Sequence, residues 1–360
     1  MTVETLQKAT EEDPNSFEAH KDRGDALLRQ GKLDEALPYL EKALEVNPDY
    51  AFGYNQVGGI YSNQGKFDKA KDSFIKALQL DFTLTEAHFN LASLYHQRGD
   101  YEKALSHYKE VVLAHPEDGE TCNRMGICCL SQGKIQDAEA FLSEAVRLQP
   151  DVLDPLLNLS TLYIQQERFG EAEAKLREAL VVHPDLPQLH FTLGLLAMRQ
   201  ERYQEAMAHF REVVLADGEN AEAFNHLGEC CVQLGMHKQA EPFFAQAIKL
   251  DPDLSGAVFN LGKLYHDQER WDDAIVVFEE WLRVEGEFEE TLDETQKRDG
   301  RSCAVYNILG GCYVRGGNYD RARELWEKSL EIESDQPEIS EALDKLPQPL
   351  HRRVSLTLED

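Results

Sequence analysis

Positive charge is scarce in this 360-residue chain: 37 Lys and Arg stand against 66 Asp and Glu, a formal net charge of −29. Phosphate backbones are held by clustered Lys and Arg, so neither DNA nor RNA is expected as a main partner, and neither is an anionic membrane surface. The acidity is compatible with a basic partner and equally with a plain solvated exterior. Apolar runs are short, none approaching the roughly 20 residues of a membrane span. The opening stretch MTVETLQKATEEDP is polar and has no secretory apolar segment. Cysteine is sparse and odd in number, seven residues without a C-x-x-C pair, which predicts packed, reduced thiols and a cytoplasmic setting. The 12 histidines are scattered. His226 and Cys230 sit four apart, but no HExxH joins them, so packing rather than a metal is expected, and no cofactor. Gly-rich phosphate loops, a nucleophile elbow and strand-like alternation are all missing, and nothing assembles a catalytic constellation. The protein is expected not to be an enzyme.

What is present is a period. Ala36, Ala70, Ala104, Ala138, Ala172, Ala206, Ala240 and Ala274 follow one another at intervals of 34 residues, and Ala322 comes after 34 plus 14. So strict a spacing means one structural unit repeated along the chain. With Phe17 as position 1 of the first unit, position 8 is always small, from Gly24 and Gly58 to Gly310, with Ala92 and Ser160 as its variants. Position 24 is always large: Leu40, Phe74, Tyr108, Leu142, Leu176, Phe210, Phe244, Phe278 and Trp326. Positions 17, 20, 24 and 27 share one helical face. Gly at position 15, as in Gly31 and Gly65, splits the unit into two helices, and Pro at position 32, as in Pro48 and Pro116, ends the second. The predicted unit is helix, turn, helix, nine times over.

These residues, with Tyr at position 11 (Tyr61, Tyr95, Tyr163, Tyr265, Tyr313), resemble the tetratricopeptide repeat family from Phe17 to about Gln336. The resemblance implies an all-α fold, an alpha-alpha superhelix (TPR solenoid) of nine helix-turn-helix repeats. It implies a partial N-terminal repeat helix at 1–16, eight contiguous repeats at 17–288 and a polar insertion at 289–302. A ninth repeat at 303–336, a capping helix at 337–346 and a flexible tail at 347–360 follow. Residues 289–302, EETLDETQKRDGRS, read as a surface insertion or an extension of the eighth repeat's second helix, or else as a hinge or partner-specific loop. The three tryptophans, Trp271, Trp281 and Trp326, all fall in the two repeats flanking it. Glu167, Glu201 and Glu269 replace the turn glycine, each followed by Arg and an aromatic residue. In the tail, Arg352-Arg353-Val354-Ser355 resembles a basophilic kinase site.

In such a stack the first helices line the concave wall, and the resemblance assigns positions 2, 5, 6, 9, 12 and 13 to it. Positions 5 and 6 carry Asn55, Asn90, Asn123, Asn158, Asn225, Asn260 and Asn307; the sixth repeat has Thr192 instead. An amide offers a donor and an acceptor and can grip the backbone of an extended chain. Alternatively these amides are satisfied by neighbouring helices. Phe89, Phe191 and Phe259 at position 5 supply apolar contacts, or packing between adjacent first helices. The family's clamp for acidic C-termini is not matched, because only Lys21 fits its pattern and Asp25 and Glu86 would repel a carboxylate.

The expected function is a protein–protein interaction scaffold or adaptor that binds a peptide segment or partner protein in the concave groove. The alternative is a regulatory or substrate-docking subunit, or fragment, of an enzyme such as a glycosyltransferase or methyltransferase, with a catalytic subunit as partner.

Overall fold

The computed structural model describes residues 8, 10–289 and 300–347. Among the described residues every regular element is a helix, and the fold is all-α. The chain divides into two compact bodies, Met1–His183 and Pro184–Asp360.

The N-terminal body holds five helix pairs: α1 (Phe17–Arg29) with α2 (Leu33–Val46), α3 (Ala51–Asn63) with α4 (Phe67–Leu80), α5 (Thr85–Gln97) with α6 (Tyr101–Ala114), α7 (Gly119–Ser131) with α8 (Ile135–Leu148), and α9 (Leu153–Gln165) with α10 (Phe169–Val182). The C-terminal body holds α11 (Pro187–Arg199) with α12 (Tyr203–Ala216), α13 (Ala221–Gln233) with α14 (His237–Leu250), α15 (Ser255–Asp267) with α16 (Trp271–Glu289), and α17 (Gly300–Arg315) with α18 (Tyr319–Ile332), followed by α19 (Pro337–Asp344). Within each body, each helix packs on its partner in the pair and on the next pair.

The 34-residue register explains the pairing. All nine position-20 alanines are fully buried, and the large residue at position 24 is buried behind them. That residue fills the space left by the small residue at position 8 of its own repeat. A Cβ on Gly228 would stand 2.4 Å from Phe244 Cε1, and one on Gly58 2.6 Å from Phe74 Cε1, so these crossings close only over glycine or a yielding neighbour. The core is therefore a string of clusters, such as Phe74, Leu78, Leu91 and Leu94 in the N-terminal body and Phe210, Val213, Leu227 and Cys230 in the C-terminal one.

The turns inside the repeats share one backbone device. In the first, Gly31 N donates to Leu28 O at 2.9 Å and Lys32 N to Leu27 O at 3.0 Å, with Gly31 at φ +73°. This pair of hydrogen bonds caps the helix through a left-handed residue, where glycine is unstrained. Glu167, Glu201 and Glu269 adopt the same conformation at φ 59°, 58° and 60°, which strains a residue bearing a Cβ. The following arginine reinforces two of these turns. Arg168 stacks 4.3 Å from the Tyr163 ring and pairs with Glu139 at 2.7 Å and with Glu171. Arg270 repeats this over Tyr265 at 4.2 Å, with Glu241 at 2.8 Å and Asp273 at 2.7 Å.

Near the N-terminus, residues 10–12 are helical and buried Thr10 accepts from Arg23 Nη1 at 2.8 Å. Helix reaches into both ends of the stretch read as an insertion, since α16 runs on to Glu289 and α17 starts at Gly300. Residues 290–299 and the tail from 348, with its kinase-like motif, lie outside the described residues. Ile339, Leu343 and Leu346, around α19, pack on Trp326 and Ala322. No described helix is long and apolar enough to cross a membrane.

Candidate partner-binding walls

The predicted asparagines come together in pairs. Asn90 Nδ2 donates to Asn55 Oδ1 at 2.9 Å and Asn158 Nδ2 to Asn123 Oδ1 at 2.9 Å, both in the N-terminal body. Asn260 Nδ2 donates to Asn225 Oδ1 at 3.0 Å in the C-terminal body. Each pair joins position 5 of one first helix to position 6 of the next, 35 residues on. The position-5 member is buried, with Asn55 at 6% and Asn123 and Asn225 at 7% exposure, while Asn90, Asn158 and Asn260 are half-buried. Asn307 stands apart: its Nδ2 donates to Gln336 Oε1 at 2.7 Å, and its buried Oδ1 has no partner. Thr192 Oγ1 donates to the Gln188 carbonyl at 2.9 Å. The pairing uses one donor and one acceptor of each amide pair and pins both side chains.

Each predicted ring leans on the large position-24 residue of its own repeat. Phe89 meets Tyr108 edge-on at 5.6 Å, Phe191 meets Phe210 at 5.6 Å, and Phe259 meets Phe278 at 6.2 Å. All three are half-buried, so one face packs and the remainder stays open. Below Phe89, Ser93 Oγ bonds the Tyr108 hydroxyl at 3.0 Å, and burial raises the Tyr108 pKa.

In the N-terminal body the wall opens into a hollow of about 510 Å³. Phe52, Asn55, Phe89 and Asn90 form its apolar and amide lining, with Glu86, Asp118 and Glu120 as acidic neighbours and His115 beside Thr85 at 3.4 Å. Phe52 is 41% exposed there. Sequence reasoning passed over Phe52, although it holds position 2 of its repeat. On the same body's wall, His96 has its pKa lowered by burial and then by Arg124.

In the C-terminal body the amide pair is tied to a carboxylate. Glu229 Oε1 accepts from Asn225 Nδ2 at 3.0 Å and Asn260 Nδ2 at 2.8 Å, and its Oε2 meets His226 Nδ1 at 2.8 Å. Burial pushes the Glu229 carboxyl up, but donation from His226, that ring's charge and the two amides together hold it below the usual carboxylate range. His226 is itself fixed, stacked on Phe210 at 5.0 Å and edge-on to Phe191 at 5.6 Å. The spacings Asn225-x-x-x-Glu229 and His226-x-x-Glu229 were legible, since residues three and four apart are neighbours on a helix.

No group of three or more metal-ligating side chains occurs among the described residues. All seven cysteines are unpaired and buried. Burial pushes Cys230 up to about 12 and Cys128 to about 11, so neither is a ready nucleophile.

Nine helix pairs among the described residues, the first seven each a 13-residue helix followed by a 14-residue one and all with a small residue at position 8 and a large one at position 24, define a helical-repeat protein. Tetratricopeptide repeat models match residues 17–50, 49–112, 157–220, 191–255 and 237–288, and the middle TPR-like domain of cilia and flagella-associated protein 70 matches 88–188. The chain belongs to the tetratricopeptide repeat family. Residues 304–332 also match a PPR repeat model. A crystal structure of the C-terminal part of a TPR repeat-containing protein from Cytophaga hutchinsonii is similar over 71% of this chain and 99% of that one, with 12% identity and a TM-score of 0.60. A tetratricopeptide repeat protein from Parabacteroides merdae is similar over 69% of this chain and 98% of that one, with 21% identity and a TM-score of 0.48. Among curated proteins, the Protein O-mannosyl-transferase tmtc2 of Xenopus laevis is 27% identical over 82 residues, which is 23% of this chain and 8% of that protein. The match thus covers less than a tenth of that relative's length.

Proposed function

We propose that the chain is a non-catalytic scaffold that holds an extended peptide segment of a partner protein along its first-helix walls. The observation that carries this reading is the hollow beside α3 and α5, where pinned amides and open ring faces stand together. Asn55 and Asn90 present their remaining amide groups to a peptide backbone, and Phe52 and Phe89 receive a side chain. Asn123 and Asn158 add to this wall in the N-terminal body, and Asn225, Asn260, Asn307, Phe191 and Phe259 supply the same residue types to the first helices of the C-terminal body. Seven buried, unpaired thiols suit a reducing compartment such as the cytoplasm.

Magnitudes set the division of labour. A net hydrogen bond contributes about 0.5–1.5 kcal/mol, whereas ordering a flexible peptide costs about 2–5 kcal/mol. Because the amides already bond one another, most of the affinity must come from the ring faces. Pull-down with the intact protein, compared with Phe89→Ala and Asn158→Ala variants, tests this. The phenylalanine variant should lose more partner than the asparagine variant; equal loss or a smaller loss at Phe89 refutes it.

The match to part of an O-mannosyl-transferase supports a second reading, a docking or regulatory subunit for an enzyme of that kind. It requires a catalytic chain to copurify and its activity to change when the walls are altered.

A further inference from the structure

We propose that Glu229 is the receptor for a lysine or arginine side chain of the bound peptide. The proposal rests on the peptide-wall reading above and specifies the chemistry of one of its contacts.

A carboxylate offers about four lone-pair sites. Three are taken here, two on Oε1 by Asn225 and Asn260 and one on Oε2 by His226. The Glu229 side chain keeps 29% of its surface in contact with solvent, and Oε2 has one lone-pair site beyond the one that meets His226. Among the described residues no lysine or arginine forms an ion pair with it. Lys263, exposed on α15 three residues past Asn260, forms no ion pair with it. The carboxylate is therefore fixed in direction by two amides and the stacked His226 ring, and no lysine or arginine among the described residues is bound to it. Pre-orientation of this kind favours a charged donor, because no rotamer freedom is lost by Glu229 on binding. Phe191 on α11 and Phe259 on α15 supply ring faces along which the methylene stem of a lysine or arginine lies, with the cation near aromatic π-density.

The test uses the full chain and three acetylated, fluorescein-labelled nonapeptides of serine and leucine that differ only in the central residue: lysine, arginine or norleucine. Affinity is read by fluorescence anisotropy for the wild type, Glu229→Gln and Glu212→Gln. Glu212 is exposed on α12, and its change removes the same charge away from the wall. The lysine and arginine peptides should bind the wild type and Glu212→Gln about tenfold more tightly than the norleucine peptide. Glu229→Gln should erase that preference while keeping norleucine affinity, which also shows that the variant is folded. Equal effects of the two glutamate changes, or no preference for the cationic peptides in the wild type, overturn the proposal and leave the peptide wall standing. Failure of all three peptides to bind overturns both.

Discussion

The N-terminal and C-terminal bodies carry the same amide pair on different ground. Asn55 and Asn123 are followed four residues later by Gly59 and Ile127, whereas Asn225 is followed by Glu229. The pair geometry is nearly unchanged, at 2.9 Å in the first body and 3.0 Å in the second. What changes is the carboxylate bonded to it in the second body. The repeat framework thus holds amide position constant, and the residue at position 9 decides whether a carboxylate is bonded to the amide pair itself.

The largest expected effect tests whether the framework really is common to both bodies. Phe74→Ala and Phe244→Ala each empty the space under a position-8 glycine and should each destabilise by about 3–5 kcal/mol in urea unfolding. A much smaller effect in one body would mean that the two amide pairs rest on unlike supports. Next, Gly59→Glu transplants the carboxylate. A Cβ at Gly59 meets no atom within 4 Å, so the variant should fold, and the N-terminal wall should gain a severalfold preference for the lysine peptide over the norleucine peptide. If it gains none, position 9 is not the deciding residue.

Smaller still is the effect of relieving the turns, one in each body. Glu167→Gly and Glu269→Gly remove a Cβ from a left-handed residue and should each stabilise by about 0.5–1 kcal/mol, the strain relieved less the entropy glycine adds to the unfolded chain. Thermal melts of both variants check this, and a loss of stability would show that the glutamates make contacts worth more than the strain.

The smallest expected effect concerns acid. His88 and His107 in the N-terminal body face each other through Nδ1 at 2.9 Å, as His190 and His209 do at 3.1 Å in the other body. His88 Nε2 also donates to the Phe82 carbonyl at 3.0 Å. Burial lowers the His107 pKa and His88 lowers it further, outweighing Glu110. The unfolded chain then takes up the proton first. This contribution to stability is complete above about pH 6.5 and is lost as the pH falls through the lower, folded value. Urea midpoints between pH 7.5 and 5 should decline, and less so in His107→Gln; an equal decline in both would place the sensitivity elsewhere.

Much of the scaffold was legible because it rests on residue size at fixed intervals. Gly228 beneath Phe244 is stated by the 34-residue count alone. The site was legible only in part. Within each bonded pair the asparagines hold position 5 and then position 6, so that their spacing is 35 rather than 34, but that one-residue offset becomes a hydrogen bond only through the rotation of one first helix against the next, which no composition reveals. Phe89, Phe191 and Phe259 were placed on the wall, yet their lean onto position 24 depends on side-chain direction. Glu229 was lost among 66 acidic residues, since its meaning lies in three donors from two helices.

The arginine that follows each strained turn has a structural implication. Arg168 on the fifth repeat grips Glu139 on the fourth, and Arg270 on the eighth grips Glu241 on the seventh. Such clasps run backwards along the chain, from each of these repeats to the one before it, so splicing out the fourth repeat would take Glu139 from Arg168 and leave that guanidinium only partners of its own repeat, such as Tyr163 and Glu171.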